Sequence, residues 1–279
     1  MGIEDDPPVQ QVEVGGAAVG FRRCGQGPPL LLLHGAVSDS RVWRSQMSSF
    51  GGSFTVVAWD APGCGASSDV PDGARMPEYA DRLAGLVRAL ELGPCHVLGH
   101  SWGSTLALEL CLRHPSLVRS LVLVGGYAGW AGSLVPDEVE RRLSFALHAA
   151  ELAGRGFDPS SMPGLFSDVM PPDRGAELAA IMSDVRPAAT RTMAHALAEA
   201  DLRPRLASIA VPTALVHGDA DLRSSLEVAR RLRDSIPGST LVVLPGLGHE
   251  CYLEDAAAFD RVVLDVLADH GRSGEAEVL

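Results

Sequence analysis

Gly99-His100-Ser101-Trp102-Gly103 stands directly after an apolar run at residues 95–98 and directly before a segment of helical spacing at 105–112. A serine between two glycines at a strand-to-helix junction has a physical purpose. The chain must turn there so sharply that the serine backbone is strained and side chains at the flanking positions would collide, which is why glycine is needed on either side. Such a turn lifts Ser101 Oγ above the strand ends. It also sets the Trp102 N–H at a helix start, where unpaired donors and the helix dipole favour a developing negative charge. The G-x-S-x-G pattern in this context predicts an activated serine with one oxyanion donor already in place.

Working outward, the run at 95–98 is one of a set. Continuous apolar stretches at 29–33, 54–59, 121–124, 213–216 and 240–244 suit strands buried on both faces, while residues 9–24, interrupted at Gly15-Gly16, suit an antiparallel hairpin. Segments of helical spacing lie between them, at 79–90, 226–232 and 259–267 as well as 105–112. Alternating strands and helices predict an α/β protein, a mostly parallel sheet with helices on both faces and its chemistry at the carboxyl ends of the strands. Residues 127–207 break the alternation. They carry helical segments punctuated by glycine and proline and no buried strand, which predicts a helical cap inserted into a core made of 1–126 and 208–279. Residues 271–279 read as a frayed tail.

A serine hydroxyl is a poor nucleophile until a base takes its proton. Of nine histidines, His249 is the candidate, because Pro245-Gly246-Leu247-Gly248-His249 is a glycine-rich loop between the last apolar strand and the last helix. The others read as structural, with His34 and His100 as neighbours of the oxyanion region. The base needs a carboxylate to hold its tautomer, and Val216-His217-Gly218-Asp219-Ala220-Asp221 offers two. Asp221 is preferred, with Asp219 as the alternative. The second oxyanion donor is assigned to the Ala36 N–H in His34-Gly35-Ala36-Val37. Cap side chains Phe145, Met162, Leu165, Phe166, Met170, Met182 and Met193 are expected to roof a mainly apolar pocket, each equally suited to gluing cap to core. Cap arginines such as Arg186 or Arg191 are candidates for a substrate carboxylate, against the plainer reading as solvated residues.

Composition narrows the partners. All 23 basic residues are arginine, so Schiff-base lysine chemistry and a P-loop lysine are excluded, and the formal charge of −12 disfavours nucleic acid and anionic membranes. The five scattered cysteines suggest neither a zinc site nor a disulfide framework. An acidic N-terminus without a signal-peptide pattern and the absence of a membrane-length apolar run predict a cytoplasmic protein acting on a small molecule, its oligomeric state open.

These residues, in the order Ser, Asp, His, resemble the α/β-hydrolase superfamily over nearly the whole chain. Asp60-Ala61-Pro62-Gly63-Cys64-Gly65-Ala66-Ser67 looks like its D-x-x-G-x-G-x-S turn. The resemblance implies an eight-stranded, mostly parallel sheet whose first strands are antiparallel, and neither cofactor nor metal. The elbow is similar to that of proline iminopeptidases, but His34-Gly35-Ala36-Val37-Ser38 replaces their H-G-G-P-G loop. Carbon–carbon bond hydrolases usually carry a comparable glycine-proline loop, also missing here. The layout is most similar to enol-lactone hydrolases and small carboxylesterases; Ser101 argues against dehalogenases and epoxide hydrolases, which need an aspartate there. The expectation is hydrolysis of an ester or lactone of a small, mainly apolar substrate through an acyl-enzyme on Ser101. Aminopeptidase or carbon–carbon hydrolase activity, or plain ligand binding on the same fold, are the alternatives.

Overall fold

The computed structural model describes residues 6–152, 162, 164, 165 and 167–275. Most of the acidic N-terminus, Phe166 and several of the cap's glycines and prolines lie outside the described residues.

Eight strands form one sheet in the order β1-β2-β4-β3-β5-β6-β7-β8. β1 (Gln10–Val14) and β2 (Ala17–Cys24) make the hairpin, and β2 pairs antiparallel with β4 (Thr55–Trp59). From β4 onward, β3 (Pro29–Leu33), β5 (Cys95–His100), β6 (Val118–Val124), β7 (Thr213–Gly218) and β8 (Thr240–Leu244) are all parallel. The continuous apolar runs are explained by burial on both faces. In β3, Leu31 and Leu33 join one core while Leu30 and Leu32 join the other, as a period of two requires.

On the first face lie α2 (Met76–Ala89), α3 (Trp102–Arg113) and α7 (Leu226–Ser235), through residues such as Leu83, Leu106 and Leu232. On the other, α1 (Arg44–Phe50) packs against α9 (Ala256–Glu275), with the short α8 (Cys251–Glu254) leading into it. Between β6 and β7 the chain runs through α4 (Pro136–Leu152), α5 (Pro172–Ser183) and α6 (Pro187–Glu199), and α4 packs on α6. No helix among the described residues is long and apolar enough to cross a membrane.

Two elements differ from the sequence reading. α1 is absent from it, because Ser45, Ser48 and Ser49 dilute the helical pattern; the helix is held by burial of Met47 and Phe50 rather than by propensity. Residues 271–275 of the expected tail belong to α9, which runs to Glu275, past Leu267, its last buried side chain among the described residues, and 276–279 lie outside the described residues.

Gly85 of α2 faces the hairpin, and a Cβ there would stand 2.2 Å from Val14 Cγ1. Alanine gains about 1 kcal/mol over glycine in a helix, while overpacking costs about 1–3 kcal/mol. Gly85→Ala is therefore expected to destabilise the wild type by about 1 kcal/mol and to stabilise a Val14→Ala background by about the same amount, as read by urea denaturation of the four proteins of the cycle.

Candidate active site

The turn between β5 and α3 places the serine. Ser101 has φ 53° and ψ −112°, a conformation that costs a non-glycine residue on the order of 1–3 kcal/mol. Its N–H bonds Val124 O at 2.8 Å, tying the turn to the end of β6. A Cβ on Gly99 would lie 2.2 Å from Gly103 O, and one on Gly103 would lie 2.4 Å from Leu33 O, so backbone itself occupies the space of both side chains. Ser104 Oγ donates to Ser101 O at 2.6 Å and accepts from the Tyr127 N–H at 3.2 Å, joining the turn to the loop after β6.

The structure brings Ser101, His249 and Asp221 into one line. His249 follows β8; its Nε2 is 3.0 Å from Ser101 Oγ and its Nδ1 is 2.8 Å from Asp221 Oδ2. Asp221 Oδ1 accepts from the N–H groups of Arg223 and Ser224 at 2.7 and 2.8 Å, which orients the carboxylate. Burial pushes that carboxyl up, but the charge and hydrogen bond of His249, the nearby His217 and the Ser224 N–H outweigh it and hold Asp221 at about 2. Asp219 does other work: its Oδ1 accepts from the Gly246 N–H at 2.6 Å and braces the loop that carries the histidine. Gly125, at φ 53°, is the part that sequence reasoning missed. A Cβ there would stand 3.1 Å from the His249 ring and 3.4 Å from Asp221 Oδ2, so the His–Asp pair fills the space a side chain would take. The glycine at the end of β6 was the available signal.

A buried second layer surrounds the histidine. His100 Nε2–H donates to the His249 carbonyl at 3.0 Å, and its ring lies 4.9 Å from the His249 and Tyr252 rings. Burial lowers its pKa to about 4. Glu250 is buried, with Oε2 3.9 Å from His100 Nε2 and no hydrogen-bond partner on that oxygen among the described residues. Burial raises its carboxyl to about 7 against the opposing effects of His249, a hydrogen bond with Tyr252, and Arg223. His100, His249 and Glu250 come close enough to suggest a metal site, yet both nitrogens of His249 already face Asp221 and Ser101.

The two expected oxyanion donors approach from different elements. Trp102 opens α3, so its N–H has no acceptor within the helix. Ala36 lies in the loop after β3, beside Gly35, where a Cβ would stand 3.6 Å from Ser101 Cβ. His34 governs that loop. Its Nε2 accepts from the Ala61 N–H at 3.0 Å, which leaves the proton on Nδ1 to bond Gly35 O at 2.7 Å. This fixes the plane of the Gly35–Ala36 peptide. The next residue, Val37, has φ 53°, a left-handed conformation that a β-branched side chain rarely adopts.

A cavity of about 510 Å³ opens from this loop beneath the helices between β6 and β7, with Ala36 and Val37 in its wall. Phe145, Met162, Met182 and Met193 line it as expected. Leu165 and Met170 pack into the hydrophobic core beside it instead. Arg186 does not reach the cavity wall: it pairs with Asp69 at 2.6 Å and donates to Ser67 O at 2.6 Å, joining α6 to the 60–67 turn, and Arg191 is exposed. That turn is built as its glycines suggested, since a Cβ on Gly65 would stand 2.4 Å from Asp60 Cγ.

Comparison with known proteins agrees with this architecture. A family model described as "Alpha/beta hydrolase family" matches residues 30–262. A candidate carbamate hydrolase, RutD, of Serratia proteamaculans is 30% identical over 252 residues, covering 85% of this chain and 90% of that protein. The 2-(acetamidomethylene)succinate hydrolase of Mesorhizobium japonicum is 28% identical over 254 residues, covering 86% and 88%. Among solved structures, a thermophilic esterase from Thermogutta terrifontis superposes with a TM-score of 0.84 at 25% identity, over 94% of this chain and 99% of that one.

The raised Glu250 carboxyl has a consequence for stability. Its pKa is about 7 in the folded chain against 4.5 for the free group, so the folded state favours the protonated form; this contribution is complete below about pH 4.5 and is lost as pH rises through about 7. Thermal melts of Glu250→Gln, followed by circular dichroism from pH 4.5 to 8, are expected to lose the part of the wild-type decline that falls in this window.

Proposed function

The chain belongs to the alpha/beta hydrolase family, and on that premise we propose that it is a serine hydrolase cleaving the carboxylic ester or lactone of a small, mainly apolar molecule. The observation that carries this reading is the unbroken line from Asp221 through His249 to Ser101, at 2.8 and 3.0 Å. His249 Nε2 takes the Ser101 hydroxyl proton as Oγ attacks the substrate carbonyl. The oxyanion is held by the Trp102 and Ala36 N–H groups, each contributing on the order of 3 kcal/mol in the transition state. Asp221 holds the proton on Nδ1 and stabilises the imidazolium. His249 then protonates the leaving alkoxide, leaving an acyl group on Ser101. Water, deprotonated by the same histidine, releases the acid and restores the serine. Residues 127–207 act as a cap over the core formed by 1–126 and 208–279, and their side chains supply most of the wall of the cavity that Ala36 and Val37 border.

A second reading has support of its own: two relatives are named for carbamate and acetamido substrates, and the same constellation attacks acyl carbon–nitrogen bonds when the leaving nitrogen is protonated by His249.

Wild-type protein is expected to react with a fluorophosphonate probe and to turn over p-nitrophenyl butyrate. Ser101→Ala should abolish labelling and lower kcat by roughly 10,000-fold or more; a folded Ser101→Ala protein that retains turnover would remove the proposal. Asp221→Asn is expected to lower kcat by roughly 1,000- to 10,000-fold with KM little changed, measured on the same ester. Parallel assays on the matched butyramide and carbamate separate the two readings.

A further inference from the structure

Among the described residues, the cavity bordered by Ala36 and Val37 carries only positive formal charge in its wall, although the chain as a whole is acidic. The sequence carries 35 acidic residues against 23 arginines. Yet among the described residues the cavity wall holds three arginines, Arg141, Arg142 and Arg223, and no carboxylate. The rest of that wall is almost wholly apolar. One nearby acid, Glu138, serves both Arg141 and Arg142, bonding the first at 2.7 and 2.8 Å and the second at 2.5 Å. A single carboxylate thus answers two guanidiniums, and a low-dielectric cleft lined by one sign of charge concentrates its field on whatever enters.

Arg142 and Arg223 are held as a pair. The Arg142 side chain is only 12% exposed. It donates from Nη1 to Tyr127 OH at 3.0 Å and from Nη2 to the Arg223 carbonyl at 2.9 Å, and its guanidinium lies 5.9 Å from the centre of the Trp130 ring. Those bonds and the one to Glu138 use three of its five N–H groups among the described residues. Arg223 follows Asp221 by two residues, and its own N–H bonds the Asp221 carboxylate, so its position is set by the site. Burial, reinforced by the Arg142 charge and opposed by Tyr127, Glu250 and Asp221, holds the Arg223 pKa below the usual arginine value. Positive charges set side by side in an apolar wall are stabilised by an incoming anion, and guanidinium forks match a carboxylate in shape.

The geometry points to a substrate that carries a second, ionised carboxylate: the reacting carbonyl sits between the Ala36 and Trp102 amides while the remote carboxylate is received by Arg142 and Arg223 across an apolar body. This rests on the serine hydrolase reading for the reacting end, and on the cavity alone for the remote end. Arg186 and Arg191, equally plausible from sequence, take no part.

The test uses two esters that differ only in remote charge, p-nitrophenyl hydrogen adipate and its neutral counterpart p-nitrophenyl methyl adipate. Wild-type kcat/KM is expected to favour the anionic ester by roughly tenfold or more. That ratio should fall towards one in Arg142→Gln and in Arg223→Gln, and persist in Arg113→Gln, whose side chain pairs with Asp81 at the surface. Equal or reversed preference in the wild type overturns the inference, as does a preference that survives both cavity substitutions. A readout free of turnover is calorimetric binding to Ser101→Ala, where monomethyl adipate should bind roughly tenfold or more tightly than dimethyl adipate. If neither ester is hydrolysed but the monoanion binds selectively, the hydrolase reading fails and the anion site stands; hydrolysis of both without selectivity does the reverse. Should Arg142→Gln not fold, the wild-type ratio and the calorimetry still decide.

Discussion

The whole site depends on one strained residue. Ser101 is held at φ 53° because the two positions flanking the turn have no room for a side chain and because its N–H is bound to the end of β6. Without that bond and those two close approaches the serine would relax to an ordinary conformation and its hydroxyl would leave the rim of the sheet. The strain is supported by the adjacent strands β3, β5 and β6 in the middle of the sheet, whose close-packed side chains, such as Leu31, Leu98 and Val122, are fully buried. The site's partners come to this fixed point on separate loops, after β7 and after β8, each cross-braced by a neighbour: Ser224 for Asp221, and Asp219 for the loop of His249.

Around that line the protein limits which groups carry charge. His34 and His100 are buried and pushed towards the neutral form, each with a tautomer set by a backbone partner. Glu250 is pushed up and Asp221 down, although both are buried within reach of the same imidazole. The difference lies in hydrogen bonds. Asp221 receives two backbone N–H groups and the imidazole, whereas one oxygen of Glu250 finds no partner among the described residues. One carboxylate is thereby kept as the anion that a protonated histidine needs, without a second competing for it.

Much of this was legible in the sequence, and the exceptions are instructive. Runs such as 29–33 and 240–244 coincide with β3 and β8 because strands buried on both faces admit few polar residues. The junction at 99–103 was legible because glycine there answers a local steric demand. The choice between Asp219 and Asp221 turns on loop geometry two residues apart, and the loop sends the first to Gly246 and the second to His249. What could not be read was set by packing between distant segments. Arg186 and Arg142 look alike in sequence, but one closes α6 against the 60–67 turn and the other, on α4 where it packs on α6, lines the cavity. α1 was equally hidden, since its helix is imposed by the cleft that Met47 and Phe50 fill.

The helical excursion leaves the sheet after β6 and returns to it at β7, and these two strands are direct neighbours, paired from Leu121 with Thr213 to Val124 with Val216. The excursion therefore begins and ends at one seam, and the ladder on either side does not depend on its length or content. If this excursion is the proposed cap, a change to its inner wall would alter what the cavity accepts while leaving the register of β6 on β7 untouched.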